Sequence, residues 1–535
     1  MGEQPSEQRR PEPGGNRFLW CWFVLLPLGL LLAFWRTPPS GNESAAESTA
    51  GDEAQLHRGQ RLTEQICGAC HLVPDPGIAS RYDWAFGILP IKARWLGLTP
   101  FNHSAHPGGD HVLAANVFPT QAVLSRSDWR ELTSYYLATA PLQLAAPNPI
   151  SLVTATVSFA AEVLPYKRDA ELGMLAFDQA VGVLYVCNSK DGGFDVLSAK
   201  GDLLASQMLA GPVMGVAQTP DALYIASIAT HQASDLPLGE LTYISKPNAP
   251  RALRRVIAQE LMRPVHVSAA DINGDGIDDL TICQRGHYLG AVTAMMSQGV
   301  DEYRMVNLLD HAGAVCSRIV DVDGDGQAEV LVMMNGGREA IHLFSLHADG
   351  TFVGKTIWET HPAWGFSWME LADVNGDGFV DIIAANGGLD PAQRSASGPR
   401  SYHGIHILLN DGNGGFKRSK HMRLNGVWRL LCGDFDGDGD VDIVAIADLP
   451  DGEGRVGTGL AMLTNNGDLN FATSLIAGSE KRPWNAIAVG DIDGDGDLDL
   501  IAGASSRRVR GSSSWVRLEW KKNPAALILF RNQSR

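Results

Sequence analysis

Five near-identical nine-residue segments punctuate the C-terminal two thirds of the chain: DINGDGIDD from Asp271, DVDGDGQAE from Asp321, DVNGDGFVD from Asp373, DFDGDGDVD from Asp434 and DIDGDGDLD from Asp491. Their first aspartates lie 50, 52, 61 and 57 residues apart, a period typical of solenoids and propellers. With 535 residues in all, a single compact core is excluded. After each segment comes a short apolar run, DLTICQ, EVLVMM, DIIAAN, DIVAIA or DLIAGA, and further on AIHLFSL, GIHILLN, GLAMLTN and ALILFRN follow. These read as β-strands. Two earlier units, from Leu172 and Pro212, keep the strand pattern without the acidic segment. Two and five make seven blades, with Leu152–Phe159 expected to pair with the C-terminal strands and close the ring.

The acidic segments follow a calcium grammar. Side chains at alternate positions converge on one cation, the glycines allow the tight turn, and the ninth residue closes the shell. The predicted ligands are Asp271, Asn273, Asp275 and Asp279; Asp321, Asp323, Asp325 and Glu329; Asp373, Asn375, Asp377 and Asp381; Asp434, Asp436, Asp438 and Asp442; and Asp491, Asp493, Asp495 and Asp499. An EF-hand is the competing reading, but its twelfth-position Glu and flanking helices are missing. The segments resemble the FG-GAP or VCBS repeats of integrin-α-like propellers, which implies about five Ca²⁺ sites with an architectural role. The formal charge of −17 comes from these loops and excludes a nucleic-acid partner.

Ahead of the repeats, Phe18–Trp35 is an uncharged run of 18 residues, enough to span a bilayer as a helix. Arg9, Arg10 and Arg17 precede it and only Arg36 follows closely. The positive-inside rule therefore predicts a cytoplasmic 1–17, an anchor over 18–35 and everything beyond exported. A cleaved signal peptide is the alternative; the run ends in Phe-Trp-Arg without a small-residue cleavage site. Residues 36–53, rich in Ser, Glu, Gly and Ala, read as a flexible linker.

Cys67-Gly68-Ala69-Cys70-His71 has the c-type haem attachment spacing: two thiols for the haem vinyl groups and an adjacent imidazole for the iron. A thioredoxin-like pair or half a zinc site is the alternative, but no second C-x-x-C lies nearby. Residues 54–145 are expected to form a domain, with an entry helix over Ala54–Ile66 and a capped helix from Ser127 that carries Tyr135 and Tyr136. This stretch resembles a small class I cytochrome c. The family tends to place a distal Met in a Leu-Pro-x-Met stretch, whereas this chain reads Leu89-Pro90-Ile91-Lys92 and has no Met between residues 2 and 173. Lys92, His103, His106 and His111 are the candidate sixth ligands, the histidines slightly preferred. Loss of Met ligation implies a lowered potential.

The expected architecture is multidomain: a transmembrane helix, an all-α class I cytochrome c domain over 54–145, and an all-β seven-bladed propeller with calcium loops over 146–535. It resembles bacterial envelope cytochromes c fused to FG-GAP/VCBS propellers. That implies a single-pass inner-membrane protein with its bulk in the periplasm, carrying covalent haem c and Ca²⁺. It would pass electrons to or from a partner protein or small-molecule reductant docked on the propeller. An envelope binding or adhesion module with a sensory haem is the second reading, and a propeller dehydrogenase the third; no catalytic residue is assigned. His266, Trp368, Trp428, Trp484 and Asn485, which enter the innermost strands, are candidate pocket residues. Cys187, Cys283, Cys316 and Cys432 show no disulfide framework and are expected to be free.

Overall fold

The computed structural model describes residues 42–145, 149–168, 171–245, 253–299, 302–387, 400–450, 456–480, 482–505, 514–522 and 525–534. Chain contacts separate Met1–His57 from one compact unit, Arg58–Arg535.

Seven four-stranded antiparallel sheets make up a seven-bladed propeller. The blades run from Leu172 to Met208, Val213 to Leu261, Pro264 to Leu309, Ala314 to Glu359, Phe366 to Arg423 and Arg429 to Leu475, with the seventh starting at Trp484. The second strand of a blade packs on both faces, so Val183–Asn188, Asp279–Gln284, Glu329–Met334, Asp381–Asn386 and Asp499–Ala504 are buried along their whole length. That double burial explains their unbroken apolar runs. Outer strands such as Phe352–Glu359 are largely exposed and polar.

The ring closes when Phe159–Val163 pairs antiparallel with Leu527–Asn532, Phe159 opposite Asn532. The expected closing strand, Leu152–Phe159, is thus displaced along the chain. Val153 instead donates to the Thr473 carbonyl of blade six at 2.9 Å. The alternating pattern continues through both stretches, and only the pairing partner fixes the register.

The expected division into a membrane helix, a separate all-α cytochrome c domain and a propeller is corrected. No helix among the described residues is long and apolar enough to cross a membrane; the predicted span Phe18–Trp35 lies outside them. Residues 58–141 belong to the same unit as the propeller. Between the helices Asn42–Ile66 and Arg126–Thr139 they make only short pieces: Pro76–Ile78, Arg81–Asp83, Trp84–Ile88, Leu89–Trp95, His103–Ala105 and Gly109–Ala114. Pro74, Pro76, Pro90, Pro100, Pro107 and the Gly108-Gly109 pair interrupt any longer helix. The segment also puts aromatic surface on the propeller: Trp95, Phe101 and Phe118 pack around Tyr288 of blade three.

The helix Asn42–Ile66 begins inside the stretch read as a linker, where Ala45, Ala46, Glu47 and Ala50 are strong helix formers. It crosses Arg126–Thr139 at Gly59, where a Cβ would meet the Glu131 carbonyl at 2.5 Å. The cap of Arg126–Thr139 is Ser125, not Ser127: its hydroxyl accepts the Asp128 N–H at 3.1 Å.

Candidate functional site

Each acidic loop joins the first strand of its blade to the second. The first aspartate accepts two glycine N–H groups. In the second loop these are Gly324 and Gly326 on Asp321 at 2.7 and 2.8 Å; Asp271, Asp373, Asp434 and Asp491 do the same. Both glycines sit at positive φ, +75° and +89° in that loop, a conformation that a side chain resists. Carboxylates converge to within 4.8 Å in three loops, at Asp321, Asp323 and Asp325, at Asp434, Asp436 and Asp442, and at Asp491, Asp493 and Asp495. Unbalanced oxygens brought together around a turn fit a Ca²⁺ ion. In the other two loops an amide at the third position donates to the fifth, Asn273 to Asp275 at 2.9 Å and Asn375 to Asp377 at 2.8 Å.

The ninth residue has a further task that its spacing does not reveal. Asp381 is fully buried and accepts the Val374 N–H at 3.1 Å and the Asn410 N–H at 2.8 Å. Asn410 in turn donates to the Val322 carbonyl, in the loop of the preceding blade, at 2.8 Å. The same relay joins Asp442, Asn465 and Val374, and Asp499, Asn532 and Phe435. Consecutive loops of blades four to seven are therefore tied together through Asn410, Asn465 and Asn532. The signal was present: all three end the third strand of their blade, whose sequence closes on Asn. Burial and neighbouring carboxylates push Asp381 and Asp442 up to about 6.

At the haem-type motif, Cys67 continues the helix Asn42–Ile66, its N–H on the Thr63 carbonyl at 2.9 Å. Cys67 is half-buried and Cys70 exposed, and both are free thiols. His71 Nδ1 lies 2.8 Å from the Leu72 carbonyl, which favours the proton on Nδ1 and leaves Nε2 as the unprotonated nitrogen. Burial lowers the His71 pKa, keeping the ring neutral as a ligand must be, and burial raises that of Cys67. Tyr136 packs against Trp84 at 4.1 Å and donates to the Pro74 carbonyl. These residues fit a covalent haem: two thiols, one committed imidazole and an aromatic bed. Zinc fits less well, since no group of three metal-binding side chains forms here among the described residues.

The four candidate sixth ligands separate. Lys92 acts electrostatically on both Cys67 and His71, so it lies at the motif. His106 does not: its Nε2 is 2.6 Å from the buried Asp235 of blade two. That carboxylate also accepts the N–H groups of His287, Tyr288 and Leu289, which makes the contact a docking latch. His103 is bonded to the Gly109 carbonyl at 3.1 Å, and His111 is exposed on Gly109–Ala114. Of the four, Lys92 is the one placed beside the motif cysteine and histidine.

A cavity of about 560 Å³ occupies the propeller axis. Of the expected pocket residues, His266 and Trp368 line it. Trp484 is buried in its blade with Nε1 on the Ser479 carbonyl, Trp428 packs against the same core, and Asn485 staples blade seven to the Leu172 carbonyl of blade one. Arg318, Glu370 and Arg429 were missed. They stand three or five residues before a loop's first aspartate, so counting back from the loops finds them. Cys187, Cys283, Cys316 and Cys432 are free.

Residues 321–384 and 434–502 match the FG-GAP-like repeat family, the two stretches holding four of the five loops' first aspartates except Asp271. No curated protein matches the chain. Among solved structures, the β-propeller domain of Cps50 (Swd1) from Myceliophteria thermophila is similar at 8% identity and a TM-score of 0.42, covering 70% of this chain and 99% of that one. Streptogramin B lyase is similar at 11% identity and a TM-score of 0.43, covering 70% and 98%. The chain carries FG-GAP-like repeats within a seven-bladed propeller.

Proposed function

We propose that this protein is an electron-transfer module in which a covalent haem, held by Cys67, Cys70 and His71, is carried on a calcium-stabilised propeller. The observation that carries the reading is His71, whose Nδ1 is spent on the Leu72 carbonyl at 2.8 Å beside two free thiols. A bound haem supplies reversible one-electron chemistry. The chain's own residues would hold and tune it: the thiols would tether it, the imidazole would be oriented through its backbone bond, and Lys92, once it has lost its proton, would offer a further nitrogen. Haem of this type is attached on the exported side of bacterial membranes, so the reading assigns Arg58–Arg535 to that compartment, facing a redox partner protein or a small reductant.

The test is expression of the full chain in a host that attaches haem c. The expected result is haem that stays on the polypeptide through denaturing electrophoresis and disappears in Cys67→Ser with Cys70→Ser. Lys92→Ala should alter the ferric absorption spectrum, while His103→Ala, His106→Ala and His111→Ala leave it unchanged. A chain that emerges without haem overturns the reading; a spectrum that answers to a histidine instead of Lys92 overturns the ligand assignment.

A further inference from the structure

The axial cavity is lined by side chains that count back from the acidic loops. Three residues before each first aspartate stand Ser268, Arg318, Glu370, Leu431 and Ala488. At these positions the wall is polar and charged across blades three to five and apolar across six and seven, and blade six adds Arg429 two residues earlier.

Its charges do not balance. Arg318 and Glu370 form a two-point pair at 2.8 and 3.3 Å, and Trp368 Nε1 donates to the same carboxylate at 2.7 Å. Glu370 is thereby spent. His266 adds no negative charge, and burial beside Arg318 and Arg429 keeps it neutral. Arg429 remains. Its guanidinium lies over the Trp368 ring at 4.4 Å and reaches only the Met174 sulfur among the described residues, at 2.8 Å. A guanidinium has five N–H donors and a thioether is a weak acceptor, while Arg429 is 8% exposed. A charge this buried costs free energy unless an anion meets it. Burial lowers the Arg429 pKa to about 10, the nearby Glu370 carboxylate offsetting only part of that.

We infer that the axial cavity binds a small organic monocarboxylate, its carboxylate paired with Arg429 and its apolar body against Met174, Val216, Leu431 and Ile487. One uncompensated positive charge calls for a monoanion, since a dianion would leave the cavity negative. The planar fork of a guanidinium matches a carboxylate at two points. A halide would satisfy the charge but leave most of the volume and its apolar wall unfilled. The inference is independent of the haem: it uses only residues of the propeller.

The full chain, in low-chloride buffer, is titrated with benzoate and hexanoate and with their amides, benzamide and hexanamide, by calorimetry and by tryptophan fluorescence, Trp368 being the reporter. The acids should bind saturably and at least about tenfold more tightly than the amides, and Arg429→Gln should abolish that preference. Arg429→Lys, which keeps the charge, should weaken binding yet retain the preference; the exposed Arg304→Gln should change nothing. Equal affinity for acid and amide, no saturable binding of either acid, or an undiminished preference in Arg429→Gln overturns the inference. Should Arg429→Gln fail to fold, the acid-against-amide comparison on the unmodified chain decides alone.

Discussion

Removing the Asn410 side chain tests whether the acidic loops are mechanically linked around the ring. Asn410 is buried and its amide donates to the Val322 carbonyl at 2.8 Å and the Val380 carbonyl at 3.1 Å. Asn410→Ala leaves both acceptors buried and unmet, at about 1 kcal/mol net for each bond plus a small cavity, or about 2–3 kcal/mol. Spread over the unfolding entropy of Phe159–Asn532, at about 2.1 cal/mol/K per residue, this lowers the melting temperature by roughly 3 °C. Asn410→Asp should cost more, because it turns a carboxylate oxygen toward carbonyls that need a donor. Asn413→Ala, exposed on the same turn, should stay within about 0.5 kcal/mol. Differential scanning calorimetry reads all three. The loops act separately if Asn410→Ala melts within about 1 °C of the parent, or if Asn410→Ala and Asp381→Asn are additive to within about 0.5 kcal/mol.

Chelation of Ca²⁺ should lower the propeller's melting temperature, each independent site contributing about 2.7 kcal/mol at a free concentration 100 times its dissociation constant; superimposable curves with and without chelator would mean that the loops hold no ion. If the proposed haem takes a nitrogen ligand in place of methionine sulfur, its potential, read by redox titration, should lie below that of a His/Met cytochrome, and a potential in the His/Met range would refute nitrogen ligation. Glu339 is buried, accepts the Gly336 and Phe366 N–H groups at 2.9 and 3.0 Å, and is pushed up to about 8 by burial. Its folded pKa exceeds the unfolded one, so its stabilisation is complete below the unfolded value and is lost as pH rises through about 8. The melting advantage of the parent over Glu339→Gln should therefore shrink between pH 5 and pH 9; parallel profiles would show that Glu339 does not titrate there.

The repeats were legible because a metal loop needs fixed residue types at fixed spacing, and because the doubly buried second strand needs an unbroken apolar run. Seven blades followed from counting them. What local pattern could not supply was partnership across the chain. Phe159–Val163 takes its register from Leu527–Asn532, and Leu152 looks equally strand-like until that partner is known. His106 read as a free imidazole because Asp235, its partner, lies 129 residues away. The two longer helices that flank residues 67–125 were visible, yet two helices do not say whether they close on one another or on a neighbour. Trp95, Phe101 and Phe118 chose Tyr288. Arg429 went unnoticed for a different reason: an arginine in a β-strand is ordinary, and only the closed ring makes it face a cavity.

Strand direction decides how the two chemistries relate. Each blade's innermost strand runs toward its acidic loop, so all five loops lie on one face of the propeller. The connection between second and third strands, and the link to the next blade, lie on the other. The helical segment meets the propeller at those opposite connections: Asp235 in blade two, His287 to Leu289 in blade three, with Glu359 at the end of blade four acting on His71. The cavity and its Arg429 lie along the axis between. Calcium held in the loops would reach the motif only through the stability of the blades, because charges separated by more than about 10 Å of screened path interact weakly. Chelation is accordingly expected to move the melting temperature while leaving the haem spectrum of the still-folded protein unchanged, whereas His106→Ala, which cuts the latch to Asp235, should disturb the spectrum's thermal stability without altering the calcium response. A spectrum that shifts on chelation at a temperature where the protein remains folded would place calcium and haem on the same face and refute the arrangement.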